Sequence, residues 1–426
     1  MPKSDTVAEA SAGPPRLALR DDWGRFAALI ATGWLLTNLG LAVATLPLKF
    51  LLKEELLLST AGVSAFLAIG QCSNYVKPIA GILTDSVPLF GTRRRHYLLL
   101  SLTGTGLLWL LLTVVPRSFG WMLGTYWVLY TTVVFTSTTL GGVMVEAGNR
   151  FGAAGRMTAQ RIATFKIGAM FGDWAGGFLA DLRIFAIPAA ICAAFHLALV
   201  PLFSKTIKEP RTSKVNRQAL SDAGAQLRGL LRCKVLLYAA GMVFLIAMEP
   251  GFLTPLLFYQ SDTLGFSKGY IGFLMTVNAA TGLAGAALYY FACRRLPLGL
   301  LTGGSILLNA LGTLSYFFYR TPQSALIVTA IVGITTALAM LPVYDLAARA
   351  TPKGSEALGY SLMMSVWNLT NALGDWAGSR VYDHFARNFE VLIWVNVGTT
   401  LVALLGLPLL PRVLLRSRDG DPAPSQ

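Results

Sequence analysis

GDWAGGFLAD (residues 172–181) and GDWAGSRVYD (residues 374–383) are two copies of one motif, and this repetition is the strongest sign of the architecture. The copies lie 202 residues apart. Each is near the far end of an apolar run that we interpret as the fifth membrane span of its half. The repeat predicts two copies of one helical unit, and in duplicated membrane proteins of this kind a solute site lies near the midplane between the copies.

The composition is that of a membrane protein. Apolar residues make up 54% of the 426 residues and charged residues only 13%, whereas an ordinary soluble domain has roughly 25% charged residues. Mean hydropathy is +0.58. Apolar runs of about 20 residues, long enough to cross a bilayer as helices, recur along almost the whole chain. The composition excludes a typical soluble enzyme and predicts an all-α membrane protein with many spans.

Twelve apolar runs are predicted to span the membrane, at residues 26–48, 59–83, 96–115, 121–145, 158–180, 184–203, 235–259, 269–292, 299–318, 325–345, 357–380 and 390–410. The longest internal polar stretch separates six of these spans from the other six. We therefore predict two pseudo-symmetric six-helix bundles, at residues 26–203 and 235–411. They are joined by a cytoplasmic linker (204–234) and flanked by cytoplasmic tails (1–25 and 412–426).

The net charge of +14, from 35 Lys and Arg against 21 Asp and Glu, is concentrated on one side of the predicted spans. Positive residues retain loops on the cytoplasmic side during insertion. The bias therefore predicts that both termini are cytoplasmic and that the protein lies in the plasma membrane, as in a bacterial inner membrane. It also explains the basic balance without a nucleic-acid partner. Four scattered cysteines and three single histidines form no metal or catalytic pattern, so we expect no metal, no cofactor and a monomer in the lipid bilayer.

The stretch YVKPIAGILTDSVPLFGTRRRHY (residues 75–97) ends the second span and forms the next loop. Gly81 permits close helix contact, and Asp85 can pair with an arginine. The loop resembles the Gly/Asp/Gly/Arg loop with which major facilitator superfamily proteins latch their two halves together. Under that resemblance its gating residues are Gly81, Asp85, Arg93, Arg94 and Arg95. The alternative is a solvated charged turn that obeys the positive-inside bias.

Four further elements resemble the folate/biopterin transporter family of that superfamily: LPLKFLLKEELLLS (46–59), VKPIAGILTDSVPLFGTRRRHYLLL (76–100), LLFYQSDTLGFSKGYIG (256–272) and LAARATPKGSEALGYSLMMSVWNL (346–369). The similarity keeps the family's order over both halves. It implies the major facilitator fold and the transport of pteridines such as folate or biopterin. Two positions depart from the family's pattern, since Asn74 replaces an aromatic residue and Gly141 replaces an acid.

Charged residues at membrane depth are costly and therefore mark candidate functional positions. Lys166 and Asp173 are seven residues apart on one span and form either a pair that substrate or a proton breaks, or a permanent structural pair. Asp375 repeats Asp173 in the second half without an equivalent lysine, so we expect it to bind substrate or carry a proton. Glu249 precedes Pro250 at a predicted helix break, where it binds solute or a proton or makes a structural bond.

Charged residues near the span ends are candidates for gating. Lys77 precedes a proline in the second span, where it can snorkel or pair with an acid. The fourth span of each half ends in an acid and a base, for which gating and ordinary loop salt bridges are both reasonable. These residues are Glu146 with Arg150 and Asp345 with Arg349.

Amides and one tryptophan within the spans are candidates for solute contact. Asn38, Asn278 and Asn368 suit either solute hydrogen bonds or helix packing. Trp367, beside Asn368, is predicted to stack on a flat ring, and Lys166 to attract a carboxylate.

No motif of an enzyme or an ATP-driven pump is present, since the sequence lacks GxSxG, HExxH and GxxxxGK[ST] patterns. We therefore predict a secondary transporter that works by alternating access, with a proton as the simplest coupling ion for symport of a pteridine. Two alternatives stay open. One is a major facilitator transporter of another organic solute, and the other is a membrane assembly factor or pigment carrier that uses the fold without transport.

Overall fold

The computed structural model describes residues 23–151, 153–209, 211, 215, 217–351 and 356–416. These residues form α-helices and short helical turns, with one isolated β-bridge between Leu89 and Thr92. The α-helices are α1 (Trp23–Glu54), α2 (Thr60–Gly70), α3 (Lys77–Ser86), α4 (Arg95–Val114), α5 (Phe119–Arg150), α6 (Ala154–Asp181), α7 (Ala186–Thr206), α8 (Arg217–Leu230), α9 (Lys234–Ala247), α10 (Leu253–Phe258), α11 (Lys268–Ala292), α12 (Leu298–Leu314), α13 (Pro322–Ala350), α14 (Glu356–His384), α15 (Phe389–Val402) and α16 (Arg412–Arg416).

Each of the twelve predicted spans coincides with one helix or with one broken helix. The second span is α2 and α3 joined by a 3-10 turn (Cys72–Val76), and the seventh is α9 and α10 continued by a π-helical turn (Tyr259–Thr263). Among the described residues, eight helices are long and apolar enough to cross a membrane, or nine if α8 and α9, bent by 72°, count as one span. The two helices that carry the repeated motif, α6 and α14, are not among the eight. The linker contains a helix, α8, that the span pattern did not predict.

Helices pack closely within each half and across the interface between the halves. In the first half α1 packs on α6 and α7, and in the second α12 packs on α13 and α15. Across the halves, α6 packs on α11 and α2 packs on α14. A Cβ added at Gly272 of α11 would lie 2.6 Å from the Asp173 carbonyl oxygen of α6. Only glycine therefore permits this approach of the two helices.

We name the two ends of the molecule the linker side and the distal side, according to the segments that lie there. The linker side contains the loop between α3 and α4, the end of α7 and the start of α9. The distal side contains the end of α1, the start of α2, the end of α6 and the start of α11. Ion pairs join Lys53 to Asp262 and Lys268 to Glu54 at the distal side.

The seventh span is broken where Pro250 and Gly251 follow α9. The backbone N–H of Gly251 donates to the Gly374 carbonyl (2.8 Å), and the Asn396 amide donates to the Pro250 carbonyl (2.8 Å). Neighbouring helices thus satisfy the backbone groups that the break frees, as a membrane interior requires. The first span of the other half, α1, runs unbroken through Pro47.

Candidate functional site

A cavity of about 290 Å³ lies between the two halves. Its first-half wall comes from α1, α2, the turn after α2, α4 and α5, and its second-half wall from α10, α11 and α14. The polar and aromatic lining residues are Thr45, Lys49, Ser64, Gln71, Asn74, Tyr75, Trp109, Tyr126, Tyr130, Asn368, Asn371 and Asp375. The cavity therefore combines one cation, one carboxylate, several amides and an aromatic surface.

Lys49 is the cationic residue of this cavity. The residue is only 4% exposed. Among the described residues its ammonium group makes no hydrogen bond or ion pair, while Asp375 and Asp173 are the acidic groups close enough to act on its charge. A buried ammonium group without a direct partner is costly. Its position in the cavity wall leaves it available to an acceptor or an anionic group of a bound solute.

Asp375 supplies the carboxylate and lies on α14, within the second copy of the repeated motif. Its Oδ1 accepts from the Thr254 backbone N–H (2.8 Å), and its Oδ2 accepts from the Thr254 hydroxyl (2.6 Å). Each carboxylate oxygen can accept a further hydrogen bond. Asp375 therefore joins α14 to α10 and still presents acceptor capacity to the cavity.

Asp173, the counterpart of Asp375, is half-buried on α6 and is not part of the cavity lining. No ion pair within 4.0 Å joins it to Lys166 in the described chain. Seven residues of helix separate the two by about 10 Å along the axis, which is too far for a direct pair. The described chain thus does not show the predicted Lys166–Asp173 pair, and the Lys166 ammonium group lies beside Gly282 of α11.

The aromatic surface of the cavity belongs to the first half. Tyr126 and Tyr130 lie with their ring centroids 5.5 Å apart, and the Gln71 amide donates to the Tyr126 hydroxyl (3.1 Å). Trp109 is 2% exposed, and its indole N–H has no partner within the described residues. Trp367, predicted to stack on the solute, is outside the lining and packs edge-on against Tyr344.

The amides divide between cavity and packing positions. Asn368 and Asn371 line the cavity, and the Asn371 amide donates to the Trp367 carbonyl (2.8 Å). Asn38 and Asn278 are outside the lining. The Asn38 amide donates to a carbonyl of its own helix (2.7 Å), and Asn278 lies where α11 contacts α13.

Glu249 is also outside the cavity lining, at the end of α9. Its carboxylate accepts from the Asn309 amide (3.2 Å) and from the Thr400 hydroxyl. It thereby connects the broken seventh span to α12 and α15. This geometry favours the structural alternative for Glu249, a bond that holds the kink.

The loop predicted to act as a latch makes the contacts described here within the first half and with the linker. Arg94 donates to Asp85 (3.0 Å), to Glu146 (2.6 Å) and to the Gly142 carbonyl (2.9 Å). Glu209 of the linker accepts from the backbone N–H groups at the start of α4, at 3.0–3.1 Å. These groups belong to Arg93, Arg94 and Arg95. The loop is thus attached to the linker and to α5 by hydrogen bonds and ion pairs.

The remaining gating candidates are also on the linker side. Asp345 and Arg349 form an ion pair at 2.6 Å, and the Tyr289 hydroxyl donates to Asp345 (3.0 Å). Gly81 on α3 faces Thr138 on α5. Lys77 begins α3 with Arg161 near its charge. The side chain of Arg150 lies outside the described residues.

The distal side is closed by contacts that cross between the halves. Lys53 on α1 donates to Ser261 and Asp262 of the second half, and Lys268 pairs with Glu54 at 2.7 Å. Two backbone caps also cross the interface. Asp181 accepts from Gly269 N–H (2.9 Å), and Asp383 accepts from Ala61 N–H (2.8 Å). We call these contacts together the distal gate.

A family model for the BT1 family matches residues 39–421, which is most of the chain. The chain belongs to the BT1 family. The folate-biopterin transporter of Synechocystis sp. is 29% identical over 398 residues, covering 87% of this chain and 78% of the relative. Folate transporter 2 of Plasmodium falciparum is 23% identical over 352 residues, covering 77% and 74%. The predicted family resemblance is thus confirmed.

Solved structures confirm the fold of this BT1 family member. A variant of the nucleoside transporter NupG superposes with a TM-score of 0.72 at 13% identity, covering 90% of this chain and 99% of the other. The inward-open xylose transporter XylE from E. coli gives 0.67 at 13% identity, covering 93% and 97%. At these identities the likeness establishes the major facilitator fold alone. With the family, it makes this protein a multi-pass membrane transporter.

Sequence reasoning missed Lys49 and the caps made by Asp181 and Asp383. Lys49 was assigned to the loop after the first span, because that span was predicted to end at residue 48. In the structure α1 continues to Glu54, which places Lys49 inside the helix. Both aspartates are the last residues of the two repeated motifs, so the repeat itself could have indicated that they have equivalent roles.

Proposed function

We propose that this BT1 family member transports a pteridine of the folate or biopterin type by alternating access, coupled to protons. The observation that carries the proposal is Lys49, a buried ammonium group without a direct partner, in a cavity between the halves. The cavity also supplies several aromatic side chains and a carboxylate. The relatives' names, which include folate and biopterin, fit this chemistry.

A pteridine would use both walls of the cavity. Its ring would stack on Tyr130, which lines the cavity and is partly exposed, because offset stacking favours flat rings. The amino group of its pyrimidine edge would donate to Asp375 and bond to Asn368. Lys49 takes the role first expected of Lys166, since it can donate to the ring carbonyl or to a carboxylate of the solute.

Proton coupling would use the two repeat-related acids near Lys49. Asp173 belongs to the first half and Asp375 to the second, and both act on the same ammonium charge. Neutralising one of them with a proton leaves Lys49 attracted to the other. Protonation would thereby change the balance of attraction between the halves, which is what symport requires of a coupling site.

We propose the linker side as the cytoplasmic side, because the basic residues concentrate there. The distal gate then faces outward and is closed by contacts between the halves. We therefore assign this conformation to a state that is closed toward the outside of the plasma membrane.

Transport into proteoliposomes tests the proposal, with radiolabelled biopterin and folate and an imposed pH gradient. Lys49→Met should reduce uptake to background, whereas Lys166→Met, a matched change of a lysine outside the cavity lining, should retain it. Lys166→Met should show a wild-type melting curve, and Lys49→Met should melt at the wild-type temperature or above it, because it removes a buried charge that has no direct partner. Normal uptake by Lys49→Met, or loss of uptake only in Lys166→Met, would move the solute site elsewhere.

One observation favours a second candidate, transport of a different organic solute. Asn74, which replaces the aromatic residue of the family pattern, lines the cavity. An amide there exchanges stacking surface for hydrogen bonding. Counterflow with unrelated aromatic acids, compared with pteridines, distinguishes the two candidates. A carrier that does not transport would show no counterflow with any solute.

A further inference from the structure

We propose that Thr254 is a positioning residue that links the solute cavity to the distal gate. It holds Asp375 against α10, and a solute that draws Asp375 away from Thr254 releases α10 and opens the gate. The inference rests on the proposed function in one respect, namely that the cavity is the solute site. It adds a mechanical connection between that site and the gate.

The cavity end of the connection is the pair of hydrogen bonds between Thr254 and Asp375. Thr254 is fully buried, and both its backbone N–H and its hydroxyl donate to this one carboxylate. Its neighbour Leu253 lines the cavity. A solute that bonds to Asp375 therefore competes for the same oxygens that hold the first turn of α10.

The gate end lies at the other end of the same short segment. Helix α10 has six residues and continues directly into the π-helical turn Tyr259–Thr263, which carries Ser261 and Asp262. Both side chains accept from Lys53 of the first half. The Lys53 ammonium group also lies 4.7 Å from the centroid of the Phe258 ring at the end of α10.

On the opposite side of the interface, one continuous helix, α1, faces both ends of this segment. Lys49 and Lys53 are four residues apart on α1 and therefore lie on one face. Lys49 faces the cavity that holds Asp375, and Lys53 holds Asp262 at the gate. Because α1 is continuous, the two lysines keep a fixed spacing while α10 and the turn after it can move relative to them.

The moving part is α10 because the break after α9 separates it from its own span. The chain leaves the helix between Ala247 and Leu253, and a Cβ added at Gly251 would lie 3.0 Å from the Asp375 Cα. The break thus packs directly against the helix that bears Asp375. A change at this carboxylate reaches α10 without passing through α9.

The experiment measures access to the cavity from the distal side. Ala68 lines the cavity, and Ala68→Cys, in a background without the four native cysteines, supplies a reporter thiol. A membrane-impermeant maleimide is added to intact cells, with and without biopterin or folate. Thr254→Val removes the hydroxyl and keeps the backbone N–H and the side-chain shape. Thr254→Ser is the conservative rescue.

Thr254→Val should raise the modification rate without solute about tenfold, as expected from the loss of one hydrogen bond to a charged group. Added solute should then raise the rate little further, whereas the parent and Thr254→Ser should respond fully. Thr302→Val is the matched control, since Thr302 is equally buried and bonds within α12 (2.8 Å). It should behave as the parent.

A parental rate in Thr254→Val, or an equal rise in Thr302→Val, would overturn the inference. Asp262→Asn, at the gate end of the segment, gives an independent check. If one segment connects the Thr254–Asp375 and Lys53–Asp262 contacts, the two substitutions should not act independently. The rise in modification rate of the Thr254→Val, Asp262→Asn double variant should then be smaller than the product of the two single rises. A full product would also overturn the inference. Failure of the parent to respond to any pteridine contradicts the proposed function instead, while the solute-free rates still test the role of Thr254.

Discussion

Asp181 and Asp383, the last residues of the two repeated motifs, cap helices of the opposite halves. Asp181 accepts from the backbone N–H of Gly269 at the start of α11, and Asp383 accepts from that of Ala61 at the start of α2. The duplication has therefore produced reciprocal contacts across the interface. Both contacts lie on the distal side, where the two halves must separate if the cavity is to open there.

Removing either cap should favour opening on the distal side. Asp181→Ala and Asp383→Ala each delete a helix cap, a loss that typically costs about 1 kcal/mol. Because the two caps are equivalent and far apart in sequence, we expect similar single effects and an additive double variant. The modification rate of a cavity cysteine by an impermeant reagent provides the measurement.

The control for this prediction is Glu390→Ala. Glu390 pairs with Arg320 at 3.0 Å, within the second half of the protein and near the same side. Its loss removes a distal ion pair without affecting a contact between halves. Equal opening in Glu390→Ala would mean that general loss of distal charge, rather than the caps, controls access.

Glu249 should matter for stability and not for solute binding. Glu249→Leu leaves the Asn309 amide without its acceptor, which typically costs about 1–3 kcal/mol, while the Thr400 hydroxyl can still donate to the Asn396 carbonyl. We expect a lower melting temperature in detergent and an unchanged KM for the folded fraction. Glu249→Gln keeps an acceptor oxygen, so its melting temperature should lie between those of the wild type and Glu249→Leu. A raised KM with normal melting would return Glu249 to the solute site.

The fold followed from the sequence because its signals are long and repeated. Twelve apolar runs and the duplicated motif specify two six-helix units whatever the details of packing. The break after α9 was also expected, because Glu249 precedes a Pro-Gly pair. Pro47 shows the limit of that reasoning, since α1 continues through it. Whether a proline breaks a helix depends on packing against other helices, which the local sequence does not reveal.

The site was less predictable because the residues that meet in it come from different spans. Asp375 and Asn368 were expected and line the cavity, but Lys166, Trp367 and Glu249 do not. Periodicity indicates which residues share a face of one helix, but it does not indicate which face looks into the cavity. Lys49 was missed for a simpler reason, since a few residues at a span end decide whether a charge is in the loop or in the helix.

Loss of the Arg94 contacts should destabilise the first half, and Glu146 should matter more than Asp85. The Glu146 side chain is 26% exposed and that of Asp85 is 55% exposed, so solvent weakens the second ion pair more. We expect Glu146→Gln to lower the melting temperature more than Asp85→Asn. Arg94→Lys should lower it most, because lysine cannot reproduce the forked contacts. Arg228→Lys on the exposed helix α8 is the matched control and should melt normally.

Substitutions of Asp173 and Asp375 should distinguish a role in proton coupling from a role in stability. Asp375 is bonded to Thr254 through both oxygens, so Asp375→Asn should lower both the melting temperature and solute affinity. Asp173 has no hydrogen bond or ion pair in the described chain, so Asp173→Asn should melt normally. If Asp173 carries the coupled proton, this variant should still exchange solute in counterflow and lose accumulation driven by a pH gradient. Asp222→Asn on α8 controls for loss of a carboxylate. Intact accumulation in Asp173→Asn would assign coupling to Asp375.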